Sequence, residues 1–348
     1  MKFNLKYYVK PWVMDLKPYV PGKTIESYIK LASNENNYGP SPLVMDILEN
    51  KRNQVNLYPH RGDEVKNKIA NYCNVKKENI LLGNGSDEII DLILKTFKGP
   101  VISFYPTFSE YEICTKTLGG EYINVNLNSD LSLPVDDFIE KLEEANVIFL
   151  CSPNNPTGTV IQKRDIKKIL NEGKITVVDE AYYEFYEKTM APLIKKYKNL
   201  IVLRTFAKAF ALAGLRIGYA IGHKDTIEVI QRVKPPFNVN SLAQYAAIAA
   251  LNDIRYMQTT VNRIKKDREA LYNILSEKFN VIKSEANFIL VDVSPVKSNE
   301  FYDALLKKRI IVRPFGRFRN LKGEYVRISV GTRGEIRKFI SVLSKLGI

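Results

Sequence analysis

Cysteine, histidine and long apolar runs are scarce in this 348-residue sequence, and each scarcity removes a class of function. The three cysteines, Cys73, Cys114 and Cys151, are scattered and form no CxxC pair. That excludes a disulfide framework and fits a reducing cytoplasm. With only two histidines, His60 and His223, far apart in sequence, a histidine-built metal centre or a Ser-His-Asp triad is not expected, and neither is a bound metal. No apolar run reaches the roughly 18 residues that a membrane helix needs. The opening stretch MKFNLKYYVKPWVMDLKPYVPGK is basic but broken by prolines and charges. It has neither an apolar h-region nor a small-residue cleavage site, so no signal peptide is expected.

What remains is an ordinary globular composition, 45% hydrophobic and 26% charged, with 18 glycines and 16 prolines. Its length suits two domains with a large core. Lys and Arg outnumber Asp and Glu by 52 to 38, giving a net charge of +14. These cations are spread along the chain, without a basic block or an aromatic-interleaved stripe. That favours a solvated basic face handling small anions over nucleic-acid or membrane binding.

The first 30 residues read as an irregular arm. Helical and strand patterns then alternate. SDEIIDLILKTF (86–97) has helical apolar spacing, with Ser86 as its expected N-cap, and QKRDIKKILNEG (162–173) is a second helix. VISF (101–104), VIFLCS (147–152), ITVVDEAY (175–182), LIVLRTF (200–206) and RIGYAIG (216–222) are expected strands. Apolar strands alternating with helices imply a mostly parallel sheet covered on both faces, with ligands at the carboxyl ends of its strands. Beyond about residue 235 the pattern becomes one or two long helices, then short strands within FNVIKSEANFILVDV, RIIVRPFG and YVRISVG, with helices near 298–308 and 334–346. The expected division is an arm (1–30), a large α/β domain (31–240) and a smaller α+β domain (241–348) that the arm completes.

Four segments follow strand ends: LGNGSDE (82–88), SPNNPTG (152–158), VVDEAYYEF (177–185) and RTFAKAFALAGLR (204–216). In the last, Lys208 sits among apolar residues, where desolvation makes an amine easier to deprotonate. Asp179 ends an apolar strand pattern, where a carboxylate is costly to bury without a cationic partner; Glu180 is its local competitor. GNGSDE opens a helix, so its amides and dipole form an anion site, although Ser86, Asp87 and Glu88 also suit a plain helix cap.

Together these segments resemble the fold-type I aminotransferases, most closely the histidinol-phosphate aminotransferase branch. LASNENNYGPSP, NLYPHRG, KPPFNVNSLAQ, ANFILV and YVRISVGTR match that branch in the same order, so the resemblance covers nearly the whole chain. It implies pyridoxal phosphate as cofactor and Lys208 as the lysine that binds it covalently. Asp179, favoured over Glu180, would meet the ring nitrogen, and Asn155 and Tyr182 the ring oxygen. Gly85, Ser86, Asp87, Thr205 and Arg216 would surround the phosphate, and Phe108 in YPTF would stack on the ring. The family's serine before the lysine is Ala207 here, which removes one phosphate hydrogen bond. Tyr58 in LYPHRG would reach the phosphate from the other subunit of a homodimer with shared sites. Arg327, Arg313, Tyr19 and Asn155 would contact substrate. The implied reaction exchanges an amino group between histidinol phosphate and 2-oxoglutarate, giving glutamate. An aromatic aminotransferase or a threonine-phosphate decarboxylase would share the cofactor motifs. A PLP-sensing regulator would keep the lysine but add a DNA-binding module, for which the short arm leaves no room.

Overall fold

The computed structural model describes residues 3–16, 18 and 22–347. Among the described residues before 29, the helical elements are 3-10 turns, at Leu5–Tyr7 and Pro11–Asp15. The second is pinned where the Trp12 indole donates to the Thr117 carbonyl at 3.2 Å. A side chain at Gly119 would come within 2.7 Å of that indole, so a residue without one is required there.

Strand β1 (Ile29–Lys30) is followed by seven strands that form one large sheet: β2 (Ile80–Gly83), β3 (Val101–Tyr105), β4 (Tyr122–Asn126), β5 (Val147–Cys151), β6 (Ile175–Asp179), β7 (Leu200–Thr205) and β8 (Gly218–Gly222). Their spatial order is β2-β8-β7-β6-β5-β3-β4. All neighbours from β7 to β4 run parallel, while β8 lies antiparallel to both β7 and β2. The strands β5, β7 and β8 are buried along their whole length, as expected of a sheet covered on both faces.

A second set of strands follows: β9 (Asn280–Ile282), β10 (Phe288–Asp292), β11 (Ile310–Ile311), β12 (Arg313–Gly316) and β13 (Tyr325–Ser329). Four of them form an antiparallel sheet in the order β12-β13-β10-β9, and β11 pairs parallel with β1. The helix Ile254–Ser276 packs on both β9 and β10 and on the helix Arg333–Leu346. One continuous apolar core, from Ile80 and Val147 to Phe288 and Phe339, runs through the molecule. Among the described residues no helix is long and apolar enough to cross a membrane.

The expected α/β class, with a mostly parallel large sheet and a smaller α+β portion, is borne out. Three local expectations are corrected. The helix read from Ser86 begins at Gly85, with Asn84 in the cap position, so Ser86 lies inside its first turn. The strand read to residue 182 ends at Asp179, because its carboxylate accepts the Ala181 N–H at 3.0 Å and closes a turn instead. The strand read from Arg216 starts at Gly218, since Arg216 adopts a left-handed φ of +52°.

Candidate active site

Strands β5, β6 and β7 end side by side, and each delivers polar residues into one cavity of about 240 Å³. After β5 comes Asn155, at the end of β6 stands Asp179 followed by Tyr182, and β7 ends in Thr205 with Lys208 just beyond. Across the mouth lie Arg313 of β12 and Arg327 of β13.

Asp179 and Glu180 separate as strand geometry dictates, since successive side chains point to opposite faces. Asp179 lines the cavity and is 2% exposed. Its oxygens accept the Tyr111 hydroxyl at 2.7 Å and the Ala181 N–H at 3.0 Å, and among the described residues no cation pairs with it. Burial pushes its pKa up to about 6, against the lowering effect of those two donors. Glu180 points the other way into a closed network. It accepts Nε and Nη2 of Arg204 at 3.1 and 3.0 Å, the Thr189 hydroxyl at 2.7 Å and the Met190 N–H at 2.6 Å.

Lys208 faces the same cavity, its Nζ 3.3 Å from the Ser33 carbonyl and 5.9 Å from the centre of the Tyr182 ring. Loss of solvation, reinforced by the charge of Arg327, pulls its pKa down to about 8. Phe108 forms an aromatic wall of the cavity.

An anion cradle closes one end. The helix Gly85–Thr96 points its N-terminus here, bringing Ser86 and Asp87 to the cavity lining together with Thr205 and Arg216. Gly85 has φ +81°, and a Cβ on it would lie 2.6 Å from Nη2 of Arg216, so the guanidinium reaches the helix end only because glycine stands there. Gly218 plays the same part behind it, where a Cβ would meet the Ser86 amide nitrogen at 2.7 Å. Arg216 also holds Asp87 at 2.5 Å.

At the mouth, Arg313 and Arg327 are direct Cα partners across the β12–β13 ladder. Arg327 is 7% exposed, donates to the Ala32 carbonyl at 2.7 Å and to Oδ1 of Asn155, and lies over the rings of Phe288 and Phe315.

The cavity thus brings together Ser86, Asp87, Phe108, Asn155, Asp179, Tyr182, Thr205, Lys208, Arg216, Arg313 and Arg327, with Gly85 directly behind the cradle. Tyr58 stands apart, 75% exposed and stacked on Phe237 at 4.5 Å in a separate surface hollow with Val55 and Leu57. Tyr19 lies outside the described residues. Two residues that the sequence reading assigned no role also belong to the site. Tyr111 reaches Asp179 from the helix Glu110–Thr117, three residues after Phe108, and Asn34 donates to the Tyr182 hydroxyl at 2.9 Å. The one-turn spacing from Phe108 was a visible signal for Tyr111; Asn34 offered none beyond its place in LASNENN.

These residues fit pyridoxal phosphate. A buried carboxylate without a cation suits a protonated ring nitrogen, a lysine of lowered pKa suits covalent attachment, and a helix N-terminus with an arginine suits a phosphate. Among the described residues no cluster of His, Cys, Asp and Glu is arranged to hold a metal ion.

The family profile described as aminotransferase class I and II matches residues 26–343. A histidinol-phosphate aminotransferase from Methanocaldococcus jannaschii is 39% identical, the match covering 97% of each chain. Another, from Thermoanaerobacter pseudethanolicus, is 41% identical, with 87% of this chain and 88% of that protein covered. The crystal structure of the histidinol-phosphate aminotransferase from Clostridium acetobutylicum superimposes with a TM-score of 0.85 at 29% identity, covering 91% of this chain and 98% of that one.

Proposed function

We propose that this chain, which belongs to the aminotransferase class I and II family and is a pyridoxal-phosphate-dependent enzyme, transfers the amino group of L-histidinol phosphate to 2-oxoglutarate. The products are imidazole-acetol phosphate and glutamate, a step of histidine biosynthesis.

The observation that carries this reading is the pairing of Arg313 with Arg327 directly across an antiparallel ladder, both lining the cavity that holds Lys208. Like charges placed opposite each other destabilise a sheet. An anion between them relieves that repulsion, and the two substrates present a phosphate dianion and a dicarboxylate in turn. Bidentate guanidinium contacts suit both anions.

Pyridoxal phosphate, when bound, supplies an electron-withdrawing ring that accepts the electron pair left when the proton leaves the amino-bearing carbon. Lys208 is the base for that proton. With a pKa of about 8, roughly one amine in ten is neutral at pH 7, enough to accept it without a large energetic penalty. Asp179 keeps the ring nitrogen protonated, Tyr182 and Asn155 donate to the ring oxygen, and Ser86, Thr205 and Arg216 hold the phosphate. Because Oδ1 of Asn155 accepts from Arg327, its amide N–H groups remain as the donors.

The exposed stack of Tyr58 on Phe237, beside Val55 and Leu57, supports a homodimer in which Tyr58 completes the partner's site. The division into an arm (1–30), a large domain (31–240) and a small domain (241–348) is proposed with it, as is a cytoplasmic location, which the three free thiols fit.

The test is to add single amino donors to the purified, cofactor-loaded protein and follow the cofactor's visible absorbance. Histidinol phosphate should discharge it fastest. Faster reaction with phenylalanine would reassign the chain to aromatic transamination, and release of carbon dioxide from threonine phosphate would make it a decarboxylase. For the dimer, mixing inactive Lys208→Ala with an impaired Tyr58→Phe variant should restore activity as subunits exchange; an active monomer in sedimentation would end that part of the reading.

A further inference from the structure

Asn34 is 1% exposed, holds a left-handed φ of +56° that asparagine tolerates better than most residues, and has every polar group engaged. Its carbonyl accepts Nδ2 of Asn287 at 2.9 Å. Its backbone N–H donates to Oγ of Ser329 at 2.8 Å. The Ser329 hydroxyl sends its own proton to Oδ1 of Asn34 at 2.9 Å.

That pair of bonds settles the orientation of the side-chain amide. The oxygen faces Ser329, so the nitrogen must face Tyr182, and Nδ2 donates to the Tyr182 hydroxyl at 2.9 Å. The phenol oxygen therefore receives a proton from Asn34 and must place its own elsewhere. The charged and titratable groups that face Tyr182 are Arg327 on β13, Lys208 beyond β7, Asp179 at the end of β6 and Cys151 at the end of β5. Arg327 is a donor only, and the Asn34 amide nitrogen is already donating. The remaining direction is the cavity that Lys208 and Asp179 line.

We propose that Asn34 is a positioning residue: it relays the orientation of the Ser329 hydroxyl to Tyr182 and fixes that phenol as a hydrogen-bond donor into the cavity. The proposal rests on the reading of Tyr182 as the donor to the cofactor's ring oxygen. Ser329 lies two residues after Arg327 on β13 and shares its face, so one strand carries both the substrate's anion contact and the lock on the phenol. The relay also explains why a buried asparagine stands in a backbone conformation that other residues adopt poorly. It is the one side chain of its size with a donor on one branch and an acceptor on the other.

The isosteric variant Asn34→Asp tests this, because it replaces the donor facing Tyr182 with an acceptor and turns the phenol's proton away from the cavity. A donor at the ring oxygen stabilises its anionic form, so losing it raises the pH midpoint of the bound cofactor's visible absorbance. The expected rise is about one pH unit, the size of one hydrogen bond to a charged group. The kcat should fall at least about tenfold with little change in the KM for histidinol phosphate. Tyr182→Phe should raise the midpoint by a similar amount, and adding Asn34→Asp to it should change nothing more. The neutral Ser329→Ala variant unlocks the amide and should give a smaller rise that also vanishes beside Tyr182→Phe; it carries the test if Asn34→Asp fails to fold. An Asn34→Asp rise that persists beside Tyr182→Phe would be the effect of charge alone and would overturn the relay, as would no rise at all. A midpoint unmoved in Tyr182→Phe would instead overturn the reading of Tyr182 on which the relay stands.

Discussion

Asp179 and Glu180 are consecutive carboxylates, each 2% exposed, yet they have opposite surroundings. Glu180 is provided for in full by the Arg204 guanidinium, the Thr189 hydroxyl and a backbone N–H. Arg204 is itself stacked over the Tyr183 ring at 3.4 Å. Asp179 receives two hydrogen bonds and no cation among the described residues, and the rest of its surroundings is cavity. The first arrangement is complete in the protein alone and serves the fold. The second leaves room for a positively charged group, and that difference supports the role proposed for Asp179.

The sharpest way to break this comparison is to remove each acid in turn. Asp179→Ala should lower the transamination rate by at least about a thousandfold, some 4 kcal/mol of transition-state stabilisation. Its unfolding midpoint should stay near or above that of the wild type, since a poorly compensated buried acid has been removed. Near-normal turnover would strip Asp179 of its assigned role. Glu180→Ala should do the reverse, destabilising the fold by about 3–5 kcal/mol because Arg204 is left buried and uncompensated. Denaturant unfolding measures it, and replacing Arg204 by methionine as well should recover much of the loss.

A pH series sharpens the same contrast. The folded-state pKa of Asp179, about 6, lies above its ordinary value of 3.8, so the folded cofactor-free protein binds the proton more tightly than the unfolded chain. Stability should therefore fall as pH rises from about 4 to 6, by at most about 3 kcal/mol from this group. Asp179→Asn should flatten that part of the curve in chemical denaturation of the cofactor-free protein; an unchanged slope would mean that Asp179 is not its source. The smallest expected effect belongs to Tyr111→Phe, which deletes one hydrogen bond to Asp179. It should cost about 1.5–2 kcal/mol in kcat/KM, roughly a tenfold to thirtyfold loss, and raise the Asp179 pKa further. If it left the pH dependence of stability untouched, the 2.7 Å contact would have no energetic weight.

The sequence made some of this legible and hid the rest for physical reasons. Apolar runs such as VIFLC and LIVL betray buried central strands whatever their neighbours are. The half-exposed strand β4, YINVN, has no such run and escaped notice. The reversed direction of β8 leaves no trace in its composition. The ambiguity between Asp179 and Glu180 was one of facing. A strand pattern says that neighbours diverge, not which of them meets the cavity, and only the pairing of Glu180 with Arg204, 24 residues away, decides it. The cavity residues were found because strand ends concentrate polar side chains, and the resemblance assigned their parts. Tyr111 and Asn34 were passed over because their importance lies in a hydrogen bond to another residue, which no spacing records.

The short passage from Ile29 to Asn34 has one further consequence. Ile29 and Lys30 pair with Ile310 and Ile311, the Leu31 carbonyl takes the Ser329 N–H, and Ala32 and Asn34 meet Arg327 and Ser329. These partners are separated by nearly the whole length of the chain, and such distant contacts form late because a long loop must first close. A ribosome making this protein would emit residues 29–34 early and leave them without their β11 and β13 partners until those strands emerged. A nascent chain ending before β13 would expose the cavity wall and an unpaired strand edge, the surfaces most open to aggregation and proteolysis. The cavity wall at Asn34 thus cannot be completed until Ser329, 295 residues later, has been made.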